Sequence, residues 1–335
     1  MMKLRFRSIA AAAAVLFCGL LSSVQAEDFK LTHQWKQGAD SRDTAARQFV
    51  KEVTSKDPSL RFRIYPGASL ISNPLKQVDA LQDGTVEMSI IPLIYAAGKI
   101  PEFSVTILPG AVSSAADAMT LRNSPYAKKL QEVAEANGLH LLTWWWTEGG
   151  FVNRARPLGK PDDVKGLKFR GADRTIDSAL KEAGASVFSM PSTELYNAMQ
   201  SGVLDGLLSS YDSLMSMRLY EQSKYATLGG DYTIFVLLQP LVISKKAWDK
   251  LTPAQKKIFE DAAQKTDQAF NAEQVDVAKT AVEKYKAAGV QVRQMTKPEF
   301  DEWLALAKRT SWQDFAKTSA KAKELLDALH QSRGK

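Results

Sequence analysis

The side chains that ordinarily do chemistry are scarce in this chain. It has three histidines, His33, His140 and His330, none at metal-ligand spacing from another donor, whereas a zinc site needs three or four such groups together. No GxSxG elbow, GxGxxG turn or GxxxxGKS/T loop occurs, so the signatures of nucleophilic hydrolysis, dinucleotide binding and P-loop nucleotide binding are missing. Asp162 and Asp163, just before Val164-Lys165-Gly166, suit a helix start better than a catalytic pair. An enzyme is therefore the weaker class, and no catalytic residue, metal or cofactor is expected. What remains is a cation. In KGLKFRGADRT (165–175), alternation sends Leu167 and Phe169 to one face and Lys168 and Arg170 to the other. Gly171 then breaks the strand, and Asp173 can cap a helix running through Ile176 and Leu180. Arg170 thus ends a strand, either in a solvated ion pair or aimed at an anion.

Aromatic residues are the second unusual feature. LLTWWWTEGGFVN carries Trp144, Trp145 and Trp146 in a row. On a strand, Trp144 and Trp146 share a face and Trp145 takes the other, and each buried indole N–H wants a partner. Core packing accounts for one face, which leaves a ligand cleft as a reading of the other. Trp35 ends the first strand and Tyr95 follows the third. In parallel α/β sheets ligands bind beyond the carboxyl ends of strands, where Trp35, Tyr95, Trp146, Arg170 and Ser209 all fall.

The elements that must position these groups alternate. Strand candidates are 29–35, 61–66, 86–92, 139–146, 167–171, 186–190 and 205–210, with helical patterns between them at 44–53, 74–82, 126–136 and 194–200. This rhythm predicts an α/β protein with mostly parallel sheets covered by helices. ALQDGTVEMS from Ala80 and AMQSGVLDGL from Ala198, 118 residues apart, suggest two lobes of like construction. The carboxyl third differs. Thr252, Pro253 and Gln255 form a capping box, and apolar residues then keep helical spacing until Gly289. A helix of this length, roughly 50 Å at about 1.5 Å per residue, can brace both lobes. Thr296 and Glu299 open another. The lobes are expected as 27–149 plus about 236–275, and 150–235 plus about 276–335.

The amino terminus fixes the compartment. Lys3, Arg5 and Arg7 precede an apolar run from Ile9 to Leu21 and then Val24-Gln25-Ala26, the pattern of a secretory signal peptide over residues 1–26 cleaved after Ala26. The run is shorter than the ~20 residues of a membrane helix. Phe17 before Cys18 argues against a lipoprotein anchor. Cys18 is the only cysteine and leaves with the signal, so the mature chain holds together without a disulfide. Losing three cations from 44 leaves 41 against 37 acids, a net charge of +4. That favours an anionic ligand modestly, and the cations form no stripe for nucleic acid.

RPLGKPDDVKGLKFR (156–170) resembles the RPI-x-x-P-x-D-L-K-G-x-K-x-R pattern of the DctP family. These are the periplasmic solute-binding subunits of tripartite ATP-independent periplasmic (TRAP) transporters. PEFSVTILPG (101–110), ELYNAMQSGVLDG (194–206) and LYEQSKY (219–225) match as well, and the likeness spans the mature chain. It implies the two-lobed periplasmic-binding-protein fold with a long bracing helix. It also implies that Arg170 clamps a ligand carboxylate, and that the partners are a small four-helix and a large 12-helix membrane subunit. A monomer is the expectation for the receptor itself. Against the sialic-acid branch, a second arginine is replaced by Gly150, a loop arginine by Tyr95 and an asparagine by Ser209. An aromatic or apolar-bodied monocarboxylate is therefore favoured over a sugar acid, with C4-dicarboxylates and 2-oxo acids next; Arg154, Arg174 or a backbone N–H could hold a second polar end. The candidate binding set is Arg170, Trp35, Tyr95, Trp146, Gly150, Asp173, Ser209 and Ser210. The rivals are a receptor for an ATP-driven importer, which shares the bilobal plan, and a periplasmic enzyme acting on a small acid.

Overall fold

The computed structural model describes residues 28–334; the expected leader, its cleavage point and Cys18 lie outside them. Two sheets organise the chain. The strands are β1 (Phe29–Thr32), β2 (Phe62–Tyr65), β3 (Met88–Ile90), β4 (Leu139–Leu141), β5 (Trp146–Asn153), β6 (Lys168–Arg170), β7 (Ser186–Val187), β8 (Gly206–Ser210), β9 (Tyr225–Thr227), β10 (Val236–Leu238), β11 (Leu241–Ser244) and β12 (Gln291–Arg293). The first lobe holds the order β2-β1-β3-β11-β4, and the second holds β12-β9-β5-β8-β6-β7 with β10 paired to β5. The α/β class and two-lobed plan agree with expectation; the preponderance of parallel pairs does not. Five pairings are parallel, β1 with β2 and β3, β6 with β7 and β8, and β9 with β12. Five are antiparallel, because β5, β10 and β11 carry the chain between lobes and enter each sheet against its grain.

The two copies of the helix–glycine–strand unit have the same local bonding. Helix Gln77–Asp83 ends at Gly84 with φ 90°, and Val86 N–H donates to Ala80 O at 3.2 Å. The turn after helix Leu195–Gln200 passes through Gly202 with φ 77°, and Leu204 N–H donates to Ala198 O at 3.1 Å. Only a glycine takes such left-handed φ values without strain. One residue further on, Glu87 accepts from Lys30 N–H on β1 at 2.8 Å, and Asp205 accepts from Lys168 N–H on β6 at 2.8 Å. Each acid ties the incoming strand to its neighbour, which starts β3 and β8 in register.

The chain crosses between lobes through residues 142–145, through Gln239-Pro240, and along one helix. The first two crossings pair with each other: Leu142 N–H donates to Leu241 O at 2.9 Å and Gln239 N–H to Trp145 O at 2.8 Å. The long helix runs Pro253–Ala287, 35 residues, behind the reciprocal cap between Thr252 and Gln255. Phe259, Ala263 and Phe270 pack with Phe49 and Val53 of the first lobe. Val277, Ala281 and Tyr285 pack with Leu214 and Ala226 of the second. Two boundaries differ from those expected. β10 belongs to the second sheet, and the tail helix Ala320–Ser332 returns to the first lobe, where Leu325 and Leu329 join the core of Leu130 and Val133. Its apolar stripe matches the exposed face of helix Pro125–Ala136, which no other element covers as fully. No described helix is long and apolar enough to cross a membrane.

Candidate functional site

Strand ends from both sheets converge on one narrow cavity. From the first lobe come Gln34 and Trp35 beyond β1, Pro92, Ile94 and Tyr95 beyond β3, and Arg42 near the start of helix Ser41–Lys56. The second lobe supplies Arg170 and Ala172 at the end of β6, and Ser209, Ser210 and Ser213 around the end of β8. Phe235, Leu237 and Gln239 come from the chain around β10, on the way back between the lobes.

Arg170 is only 2% exposed. Its Nε and Nη2 donate to Met190 O at 3.2 and 3.1 Å, and its Nη1 donates to Leu208 O at 3.1 Å. A guanidinium has five N–H donors, so two are not given to these carbonyls, one on each terminal nitrogen, and the Tyr95 hydroxyl lies beside them. Among the described residues no carboxylate lies within ion-pairing distance of it. Burial pushes its pKa down, and the neighbouring Tyr95 hydroxyl and the Asp177 and Asp173 carboxylates offset part of that. Asp177 is itself pushed up to about 6 by burial, and Arg170 pulls it down only in part. Ala172 lines the same wall at φ 108°, strain of order 1–3 kcal/mol that such sites commonly store.

Arg42, fully buried, is the second cation of the cavity and went unread in the sequence. Its Nε and Nη2 grip both oxygens of Asp40 at 2.7 Å. Nη1 donates to Gln239 Oε1 at 2.5 Å and Ser210 Oγ at 3.3 Å, and Nη2 to Ser213 Oγ at 3.1 Å. All five donors are committed. The guanidinium also sits 4.0 Å above the Trp35 ring. Arg42 therefore fastens the lobes together across the floor of the cavity. Ser41 Oγ to Asp212 Oδ1 at 2.5 Å and Ser104 Oγ to Asp173 Oδ2 at 2.9 Å add to that fastening.

The structure brings Arg170, Trp35, Tyr95, Ser209 and Ser210 to this cavity and places three expected residues elsewhere. Asp173 caps helix Arg174–Glu182 through Thr175 N–H at 2.8 Å and reaches across to Ser104. Gly150 lies inside β5, opposite Ser209, where a Cβ would meet Thr227 O at 2.2 Å. The backbone approach, rather than a ligand, requires glycine there. Trp146 packs with Trp144, centroids 6.5 Å apart, in the first lobe's outer core. Trp145 stacks on Phe270, 5.2 Å away, in the inner core. Both faces of the tryptophan run are core because the crossing segment passes between two of them. The sequence reading missed Gln34, Arg42, Phe235, Leu237 and Gln239; only Gln34, beside Trp35 at a strand end, had a signal that pointed to it. Among the described residues no group of three or more metal-ligating side chains is gathered.

With this fold and cavity in hand, the chain belongs to the bacterial extracellular solute-binding protein family 7, DctP, whose model matches residues 31–318. It is a solute-binding subunit of the TRAP type and not an enzyme. A solute-binding protein of Albidiferax ferrireducens is 33% identical over 321 residues, 93% of this chain and 94% of that one. The C4-dicarboxylate-binding periplasmic protein DctP of Rhodobacter capsulatus is 27% identical over 255 residues, 75% of this chain and 72% of that one. A TRAP periplasmic solute-binding protein from Rhodoferax ferrireducens, solved with bound malonate, superposes with TM-score 0.89 at 32% identity, covering 91% of this chain and 98% of that one. The TRAP assignment sets aside the ATP-driven importer and the enzyme.

Proposed function

We propose that this receptor binds an organic acid through one carboxylate held by the two N–H donors that Arg170 does not give to backbone carbonyls, beside the Tyr95 hydroxyl. It acts in the periplasm once the leader is removed after Ala26, and hands the acid to a small four-helix and a large 12-helix membrane subunit. The observation that carries the reading is a buried guanidinium, without a carboxylate in ion-pairing range, opening onto a cavity. Since the other cation is saturated by Asp40, the complementary ligand is a monoanion. Trp35, Ile94, Tyr95, Phe235 and Leu237 supply walls for an uncharged body, which favours aromatic or otherwise apolar-bodied monocarboxylates over C4-dicarboxylates. The malonate on the 32% identical relative supports a second reading, a short dicarboxylate. Calorimetric titration with benzoate, phenylacetate, pyruvate, malonate, succinate and malate separates them. Tighter binding of the monocarboxylates supports the first reading, and binding of malonate, succinate or malate alone rejects it.

A further inference from the structure

Gln34 is 6% exposed and Trp35 1%. The Gln34 Nε2 and Oε1 and the Trp35 Nε1 are all buried without a hydrogen-bond partner. Buried polar side-chain atoms nearly always have one, and leaving one unpaired is costly. Several unpartnered atoms lie elsewhere in the cores, but of the side chains that line the Arg170 cavity only Gln34 and Trp35 carry such atoms. They are neighbours in the chain, and their position is fixed. His33 N–H donates to Tyr65 O at 3.2 Å, Gly67 N–H to Trp35 O at 2.8 Å and Ala68 N–H to His33 O at 2.9 Å. The Trp35 ring is held between the Arg42 guanidinium and the His33 ring, 5.9 Å away. Gln34 also lines a second, more open pocket, with Lys36, Thr193 and Met217. Either orientation of its amide leaves a donor and an acceptor free.

Resting on the carboxylate reading of Arg170, we infer that Gln34 and Trp35 form a second, uncharged recognition pole. The ligand is then a monocarboxylate whose body carries one neutral group that both accepts and donates a hydrogen bond. Two N–H donors meet its acceptor, and Gln34 Oε1 meets its donor. A second carboxylate fits this pole poorly: it would face the Gln34 carbonyl, and Arg42, the other cation lining the cavity, has no donor left to give. An alkyl group leaves all three atoms unpaired.

The test is calorimetry on the mature chain with size-matched acids. One series is malonamate, malonate and 3-methylbutanoate; the other is succinamate, succinate, levulinate and 4-methylpentanoate. In the series of fitting length, the carboxamide should bind about tenfold to a hundredfold more tightly than the alkyl acid or the dicarboxylate, with levulinate, an acceptor only, between. Gln34→Leu should erase that preference while leaving the alkyl acid's affinity within about threefold. Gln34→Met, nearer in length, should do the same with an unchanged melting temperature. Alkyl acids binding as well as carboxamides would overturn this pole and leave the Arg170 reading standing. So would a dicarboxylate that binds most tightly, or Gln34 variants that weaken every acid alike. If none of the seven acids binds, the carboxylate reading fails and this inference falls with it.

Discussion

The cavity has two buried guanidiniums, one from each lobe, and they do opposite work. Arg42 gives all five donors to Asp40, Gln239, Ser210 and Ser213. Arg170 gives three to backbone carbonyls and has no carboxylate within ion-pairing distance. Burial is the same; the difference is commitment. A saturated cation holds protein to protein, and an unsaturated one is available to a solute. Removing one partner of a buried charge pair typically costs ~2–5 kcal/mol, so Arg170→Ala should weaken acid binding by roughly one and a half to three and a half decades in calorimetry. Its melting temperature should change little, because no carboxylate is orphaned. Arg170→Lys should keep the charge and recover little affinity, since the two-pronged geometry is lost. Near-wild-type affinity in the alanine variant would erase the contrast.

Arg42→Ala should move the other observable. It leaves Asp40 buried without its bidentate partner, a change that costs about 3–5 kcal/mol in stability. Thermal or urea unfolding of the ligand-free protein measures it. A loss below about 1 kcal/mol would mean that the Asp40 pair is not held in the ligand-free protein, and that Arg42 is freer than its bonds indicate.

What could be read in the sequence follows the range of the physics. The boxes at Thr252 and Thr296 and the turns at Gly84 and Gly202 are local, and they lie where the residues said. Arg170, Trp35, Tyr95, Ser209 and Ser210 could be grouped because one rule, that ligands gather at strand ends, reaches across the chain. Arg42 could not, since its partners Ser210 and Gln239 are 168 and 197 residues away. β5 went unread, since the strand candidate stops at 146, before Gly149 and Gly150. In the sheet they are required: a Cβ on Gly149 would meet Ser209 O at 2.0 Å. The tryptophans misled for a related reason, since alternation gives which face a side chain takes and not what covers that face.

A third contrast lies behind the cations. Asp40 is gripped by Arg42, whereas Asp177, near Arg170, has its Oδ1 unpartnered and its Oδ2 bonded to Ser189 Oγ at 3.0 Å. Burial lifts Asp177 from 3.8 to about 6. A carboxyl raised on folding stabilises the fold fully below its unfolded pKa, and that contribution is lost as pH rises through about 6. An anion on Arg170 disfavours the charged form further, so binding should take up protons in this window. Affinity for an acid that stays ionised should fall severalfold as pH rises through about 6. Asp173, also raised by burial, contributes with the same sign. Asp177→Asn should flatten the profile and tighten binding above it. A flat wild-type profile would show that Asp177 does not sense the ligand.

The smallest effect separates the tryptophans. Trp35 lines the cavity with a guanidinium 4.0 Å above its ring, so an anion arriving at the opposite pole changes the field across that indole. Trp144, Trp145 and Trp146 are enclosed in the two cores flanking the crossing segment, and should register ligand only if the crossing itself bends. Asp267 Oδ1 accepts from Trp144 N–H at 2.6 Å and Asn271 Oδ1 from Trp146 N–H at 3.2 Å, which pins that segment to the long helix. The ligand-induced change in emission should therefore disappear in Trp35→Phe and persist in Trp145→Phe. The reverse outcome would place the optical signal in the crossing, and would mean that ligand binding strains the pinned segment.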